Sequence, residues 1–330
     1  MKLFNKLVMT GLAFAVSTSI AAAADYTMRV SHQFPPTHHT SIRLEQFAKD
    51  VAKETDNKVE VQLFGAAQLF KPNQHHAAVA GGQLESAIIL TIQWGGSLPE
   101  LAVTQIPFLM SAPAKQKAFL GSEPAKILDQ KFLDKGVRNI AWIVDTNDLI
   151  FTSSTELLDS PEKFKGVKIR GLNKLFDAGL SSMGAVSVSM PGSEVYQALQ
   201  TRVIDAALTG VQAASSRKFY EVQDFGAATP IFVVFDNLVV NPDWWDGLPE
   251  EVRAGITRAA DKAVQSSLIT HEGVDPAEIK KLNDAGMKAT VLTPEQMAAL
   301  EEAMQPAVRD EFLKSTGDEG QKLIDMIKAL

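Results

Sequence analysis

The chain has no cysteine among its 330 residues. Disulfide frameworks, cysteine-ligated metal centres, thiol nucleophiles and a lipid-modified cysteine are therefore all excluded. Histidine is scarce, and four of the six stand in adjacent pairs, His38-His39 and His75-His76, whose side chains are expected to point apart on a helix or a strand. No HExxH-type spacing places metal ligands on one helical face, so no metal site is expected. Also missing are a G-x-S-x-G nucleophile elbow, a Walker loop and a dinucleotide fingerprint, so no cofactor is expected. Basic residues are not in excess: 32 Lys and Arg face 39 Asp and Glu, a net charge of −7, and they are scattered. A nucleic-acid partner needs the opposite pattern and is excluded. Beyond the first two dozen residues there is no apolar run long enough to cross a bilayer.

Those first residues read as an address. Lys2 and Lys6 supply a positive start, Leu7 to Ile20 an apolar run, and Ala22-Ala23-Ala24 a small-residue cleavage site before Asp25. A membrane anchor is the competing reading, but the run is short, is interrupted by Thr10, Ser17, Thr18 and Ser19, and lacks a positive stop-transfer flank. Residues 1–24 are expected to be a cleaved signal peptide, and the mature chain a freely diffusing periplasmic monomer. Its roughly 300 residues suit two domains of ~150 each. At 45% hydrophobic composition there is ample core-forming material.

Tyr26, Met28 and Val30 alternate with polar residues as in a strand, and Leu44, Phe47, Ala48 and Val51 follow at helical spacing. Val59, Val61 and Leu63 alternate again, a helix follows around His75 to Ala80, and Ser86 to Leu90 suits a buried strand. The βαβαβ order implies a parallel sheet. A second series runs from Ile140 to Leu208, with strands at 140–144, 149–152, 167–169, 186–188 and 203–208 and helices at 173–183 and 193–200, marking a second α/β unit. Ser160-Pro161-Glu162 and Thr293-Pro294-Glu295-Gln296 read as helix starts, with a capping oxygen, proline in the first turn and acid against the dipole. From Pro249 the pattern is helical through Leu282, with candidate breaks at Gly273 and Pro276, and two more amphipathic helices close the chain. A cleft between such domains suits either solute capture or catalysis, so an exported hydrolase stands as the alternative class.

Six stretches stand in a fixed order: FGAAQL (64–69), LPELAVTQIPFL (98–109), SPEKFKGVKIR (160–170), the segment 184–205 ending in SEVYQALQTRVID, KFYEV (218–222) and LPEEV (248–252). In order and spacing this set resembles the DctP-type substrate-binding subunits of TRAP transporters over essentially the whole mature chain. The resemblance implies an α/β, two-lobed periplasmic binding protein fold, each lobe a sheet flanked by helices, with a long interlobe helix. Lobe one would comprise 25–147 plus 235–274, and lobe two 148–234 plus 275–330. It implies a receptor without enzymatic activity that closes over a small solute and delivers it to a separate membrane permease.

The resemblance also assigns a pocket. The arginine ending the KGxKIR strand, here Arg170, would clamp a solute carboxylate, for which a planar guanidinium is suited. Where relatives carry a second arginine in N-G-x-R, this chain has Asn147-Asp148-Leu149-Ile150, so one cationic partner is missing. Thr209 stands in place of the usual asparagine of D-G-Q-E-N-P, and Pro230-Ile231 in place of N-H. Asp145 and Asp148 fall in the turn between two strands bordering the cleft, and Phe34, Phe70, Trp94 and Phe235 are the candidate aromatics, with Asn173 after the KGVKIR strand as a further contact. An acid beside aromatic faces suits an ammonium group. The solute is thus expected to bear an amine or be zwitterionic, with a small mono- or dicarboxylate as the alternative.

Overall fold

The computed structural model describes residues 24–269 and 273–330. Residues 1–23 of the expected signal segment lie outside the described residues. The first half holds β1 (Tyr26–Ser31), α1 (His39–Glu54), β2 (Val59–Phe64), α2 (His75–Ala80), β3 (Ser86–Leu90), α3 (Pro113–Phe119), α4 (Glu123–Asp134) and β4 (Arg138–Thr146). There follow β5 (Leu149–Ser153), β6 (Lys168–Gly171), α5 (Lys174–Ser182), β7 (Val186–Ser189), α6 (Val195–Gln200), β8 (Ala206–Gly210), α7 (Val211–Ser216) and β9 (Phe225–Thr229). The remainder is β10 (Val234–Val240), α8 (Pro242–Asp246), α9 (Glu250–Ser267), α10 (Pro276–Asp284), β11 (Lys288–Val291) and α11 (Pro294–Lys328).

Two sheets result, in the orders β2-β1-β3-β10-β4 and β11-β9-β5-β8-β6-β7. The βαβαβ pattern produces parallel pairing of β1 with β2 and β3. The expected parallel sheet is corrected by β10, which returns from the second lobe and lies antiparallel between β3 and β4. In the second sheet β5 is likewise antiparallel to β8 and β9. The short edge strand β11, with only Ala289 of its four residues buried, carries too little alternation to be seen in sequence.

The chain passes between the sheets at 147–148, at 230–233 and again between α9 and α10. Asp148 ties two of these crossings, its Oδ2 accepting the Asp275 N–H at 2.9 Å. The helix joining the lobes is α11, which opens on the expected capping box: Thr293 Oγ1 accepts the Gln296 N–H and Gln296 Oε1 accepts the Thr293 N–H. Ser160, by contrast, precedes a short 3₁₀ turn and makes no side-chain cap. Leu300 and Met304 of α11 pack with Phe176 and Leu180 of α5. Phe312, Leu323, Ile324 and Ile327 pack with Phe119, Leu128 and Phe132 of the first lobe. The later part of a segment expected to belong wholly to lobe two thus rests on lobe one, and Gly317 interrupts the helix between Phe312 and Leu323.

Candidate solute-binding site

The FGAAQL stretch acts through backbone approach. Gly65 lies so close to the first strand's exit that a Cβ there would stand 2.9 Å from His32 and 3.2 Å from the Phe34 carbonyl. The Ala66 and Ala67 N–H groups donate to the carbonyls of Phe34 and His32. This clamp fixes Phe34 at the mouth of β1, facing an interlobe cavity with about 420 Å³ of atom-free space, its mouth included. Lobe one contributes Gln33, Phe34, Asp145 and Thr146, and lobe two Arg170, Thr209 and Arg217, with Ile92, Leu149, Phe232 and Val234 among the apolar walls.

Arg170 is 4% exposed. Its Nε donates to the Met190 carbonyl at 3.2 Å and its Nη1 to the Leu208 carbonyl at 2.7 Å. Two carbonyls accept two of its five N–H groups and leave the others for a guest. Burial, then the like charge of Arg217, push Arg170 down to about 9, still charged at neutral pH. Arg217 follows the last turn of α7, with its Cζ 5.9 Å from the centre of the Phe34 ring. Burial pushes it down to about 10 against the pull of Asp145 and Asp236. Among the described residues neither arginine forms an ion pair with a carboxylate.

Arg217 escaped the sequence reading, and it corrects the inference that a cationic partner is missing. The β5 positions are indeed apolar, and a second guanidinium reaches the cavity from the end of α7 instead. The only sequence signal was an arginine directly before KFYEV, which is ambiguous until the helix end is placed at the cavity. Gln33, Thr146 and Phe232 were missed too.

Of the residues proposed from sequence, Arg170, Phe34, Asp145 and Thr209 line the cavity. Trp94 does not: it is a core residue, edge-on to Phe132. Phe235 is packed among Phe119 and Trp142, because on a strand its neighbour Val234 takes the cavity face and it must take the other. Phe70 is only partly buried against that same core. Asn147 is a fastener, its Nδ2 donating to the Ser111 carbonyl at 2.9 Å, and Asp148 serves the crossing described above. Asn173 caps α5 and binds Ile92 and Gln105, lining a neighbouring cavity that shares Arg170. Trp94→Phe is accordingly expected to cost on the order of 1 kcal/mol of stability in chemical denaturation and to leave solute affinity unchanged.

Asp145 is held in a polar cluster. Burial alone would raise its carboxyl, but the His39 hydrogen bond and the nearby imidazoles hold it below the ordinary aspartate range. His39 Nε2 lies 2.9 Å from Asp145 Oδ1. Thr40 Oγ1 lies 3.1 Å from Asp145 Oδ1 and 2.9 Å from Asp236 Oδ2. One hydroxyl has one proton to give, so both contacts are attractive only if one carboxyl carries a proton and donates to Thr40. Asp236 is fully buried, and burial together with the charge of Asp145 raises its carboxyl well above the ordinary range. Asp236 is therefore the neutral member, and Asp145 the charged one.

The histidine pair does not diverge as expected. His38 is extended at the helix N-cap while His39 is already helical, which brings the rings to 4.1 Å between centroids. His38, His39 and Asp145 thereby bring three potential metal-ligand atoms within 4.8 Å. The set is nevertheless a poor metal site. The Nδ1 lone pair of His38 accepts the Thr40 N–H, so Nε2 carries the proton and presents no lone pair.

Residues 30–315 match the family model of bacterial extracellular solute-binding proteins, family 7 (DctP). The chain belongs to this family. Its members are solute-binding receptors, not enzymes. The chain is 29% identical over 314 residues to the C4-dicarboxylate-binding periplasmic protein DctP of Rhodobacter capsulatus, covering 94% of this chain and 93% of that protein. It is 26% identical over 338 residues to the ectoine-binding periplasmic protein TeaA of Halomonas elongata, covering 100% and 97%. Among solved structures, a TRAP periplasmic solute-binding protein of Desulfovibrio salexigens with bound orotic acid superposes with a TM-score of 0.84 at 26% identity, covering 92% of this chain and 98% of that one.

Proposed function

We propose that this family member is the periplasmic receptor of a TRAP transporter, that it captures a small organic acid as its anion, and that it hands the acid to a membrane permease. The observation that carries the reading is the pair of buried guanidiniums, Arg170 and Arg217, on one cavity with no carboxylate partner among the described residues. A desolvated charge needs a counter-charge, and an entering carboxylate supplies it. Asp145 is the one acid on the lining, and that group already serves His39 and Thr40. Capture between residues of both lobes would favour the closed form, which is what a permease has to distinguish from the empty receptor. The relative named for a C4-dicarboxylate and the one solved with orotic acid bound are consistent with an anionic solute.

A second reading keeps an amine or zwitterion. Asp145 and Phe34 do share the cavity, an acid beside an aromatic face can hold an ammonium group, and one relative is named for ectoine. Thermal-shift screening separates the two. Short mono- and dicarboxylates are expected to raise the melting temperature, a ligand at a hundredfold excess over Kd contributing ~2.7 kcal/mol. Stabilisation by amines and amino alcohols alone would reject the organic-acid reading.

A further inference from the structure

Gly192 opens the turn Gly192–Glu194 after Pro191 and is buried against the cavity. Nothing in the backbone demands glycine there, since its φ lies outside the left-handed region in which other glycines of the chain are found. What demands it is a neighbour. A Cβ at this position would stand 3.1 Å from Nη1 of Arg217 and 3.2 Å from its Cζ and Nη2, and these are the three nearest atoms. The guanidinium thus lies against the bare Gly192 backbone of one lobe and over the Phe34 ring of the other, its Cζ 5.9 Å from the ring centre. No carboxylate among the described residues forms an ion pair with Arg217, and Asp145 and Asp236 act on it only from beyond contact, so the space at 192 limits where its charge can sit.

We propose that Gly192 is a specificity-determining residue of the anion site, seating Arg217 so that a solute with a second acidic group is preferred over one with a single carboxylate. The proposal rests on the organic-acid reading above. An alanine at 192 forces a shift of a few tenths of an ångström, and a valine, with two further methyls, occupies the slot itself. A displaced fork loses bidentate geometry toward the second carboxylate while Arg170 keeps the first.

The test is a double-mutant cycle read by calorimetry with succinate and butyrate, two acids of equal chain length that differ by one carboxylate. Gly192→Ala is expected to weaken succinate several-fold and Gly192→Val by about tenfold or more, each with little effect on butyrate. In an Arg217→Ala background both substitutions should be silent, a result that a general loosening of the turn would not give. Equal losses in the two backgrounds, or equal losses for both acids, would overturn the proposal. Crystal structures of the wild type and Gly192→Ala supply a readout independent of solute, since an unmoved guanidinium also overturns it. If the wild type binds neither these acids nor any other carboxylate, the organic-acid reading falls and the preference with it, while the structures still decide the seating.

Discussion

Replacing Arg170 with alanine is expected to weaken carboxylate binding by about 2–5 kcal/mol, roughly thirtyfold to several thousandfold. The guanidinium is buried, its position is fixed by the Met190 and Leu208 carbonyls, and its remaining N–H groups have no carboxylate among the described residues. A guest anion therefore meets a charge that is already desolvated and oriented, and it spends little on rearranging the site. Lysine should not rescue the loss. A single ammonium cannot bond both carbonyls and still present a planar fork. The measurement is titration calorimetry with succinate on a variant shown to be folded by circular dichroism. The empty variant should be close to wild type in stability, because removing a charge without a counter-ion offsets the loss of its two carbonyl contacts. Unchanged succinate affinity in the folded variant would remove Arg170 from the site.

Arg170 was legible only through the resemblance of its KGVKIR motif to the family's pattern, since an arginine near a strand end is by itself more often exposed. The two α/β units were legible for a different reason: period-two and helical patterns alternate locally, and local patterns need no knowledge of distant partners. What was illegible depends on contacts far apart in the chain. Strand β10 inserts beside β3 although about 150 residues separate them, as the pairing of Asp236 with Leu90 shows, and no periodicity encodes that. Phe235 was placed on the cavity by position alone. A one-residue register difference moves a strand side chain to the opposite face, and Val234 lines the site instead. The absence of arginine from β5 is plain in the sequence but does not set the charge of the site, because charge in a cavity is summed over every element that reaches it. Arg217 arrives from α7, and the sequence neighbours of Ile150 contain no trace of it.

The buried pair Asp145 and Asp236 gives the second large effect, a stability that depends on pH in two directions. Asp236 is raised by burial and by the charge of Asp145, so between the unfolded aspartate value near ~3.9 and its own higher folded value the native state binds more protons than the unfolded state. Stability must fall as pH rises through that window. Asp145 has the opposite sign. Its carboxyl is held low by His39 and Thr40, so it contributes stability above ~3.9 that is lost as the solution is acidified below it. The two windows meet near that value and do not overlap, which lets one substitution isolate one group. In Asp236→Asn an amide N–H can take over the hydrogen bond that the protonated carboxyl gives to Thr40 Oγ1, with no proton to lose. Denaturant unfolding from pH 4 to 9 should then show the wild type losing ~1.4 kcal/mol for each unit by which Asp236 is raised, while Asp236→Asn loses nothing from this source and is the more stable protein at the alkaline end. The same change reaches function. Ionisation of Asp236 would place a second negative charge near Arg217 and weaken anion capture, so succinate affinity should decline at high pH in the wild type and hold in Asp236→Asn. Parallel pH curves for the two proteins would mean that Asp236 is ionised in the native state, and that the proton shared through Thr40 belongs elsewhere.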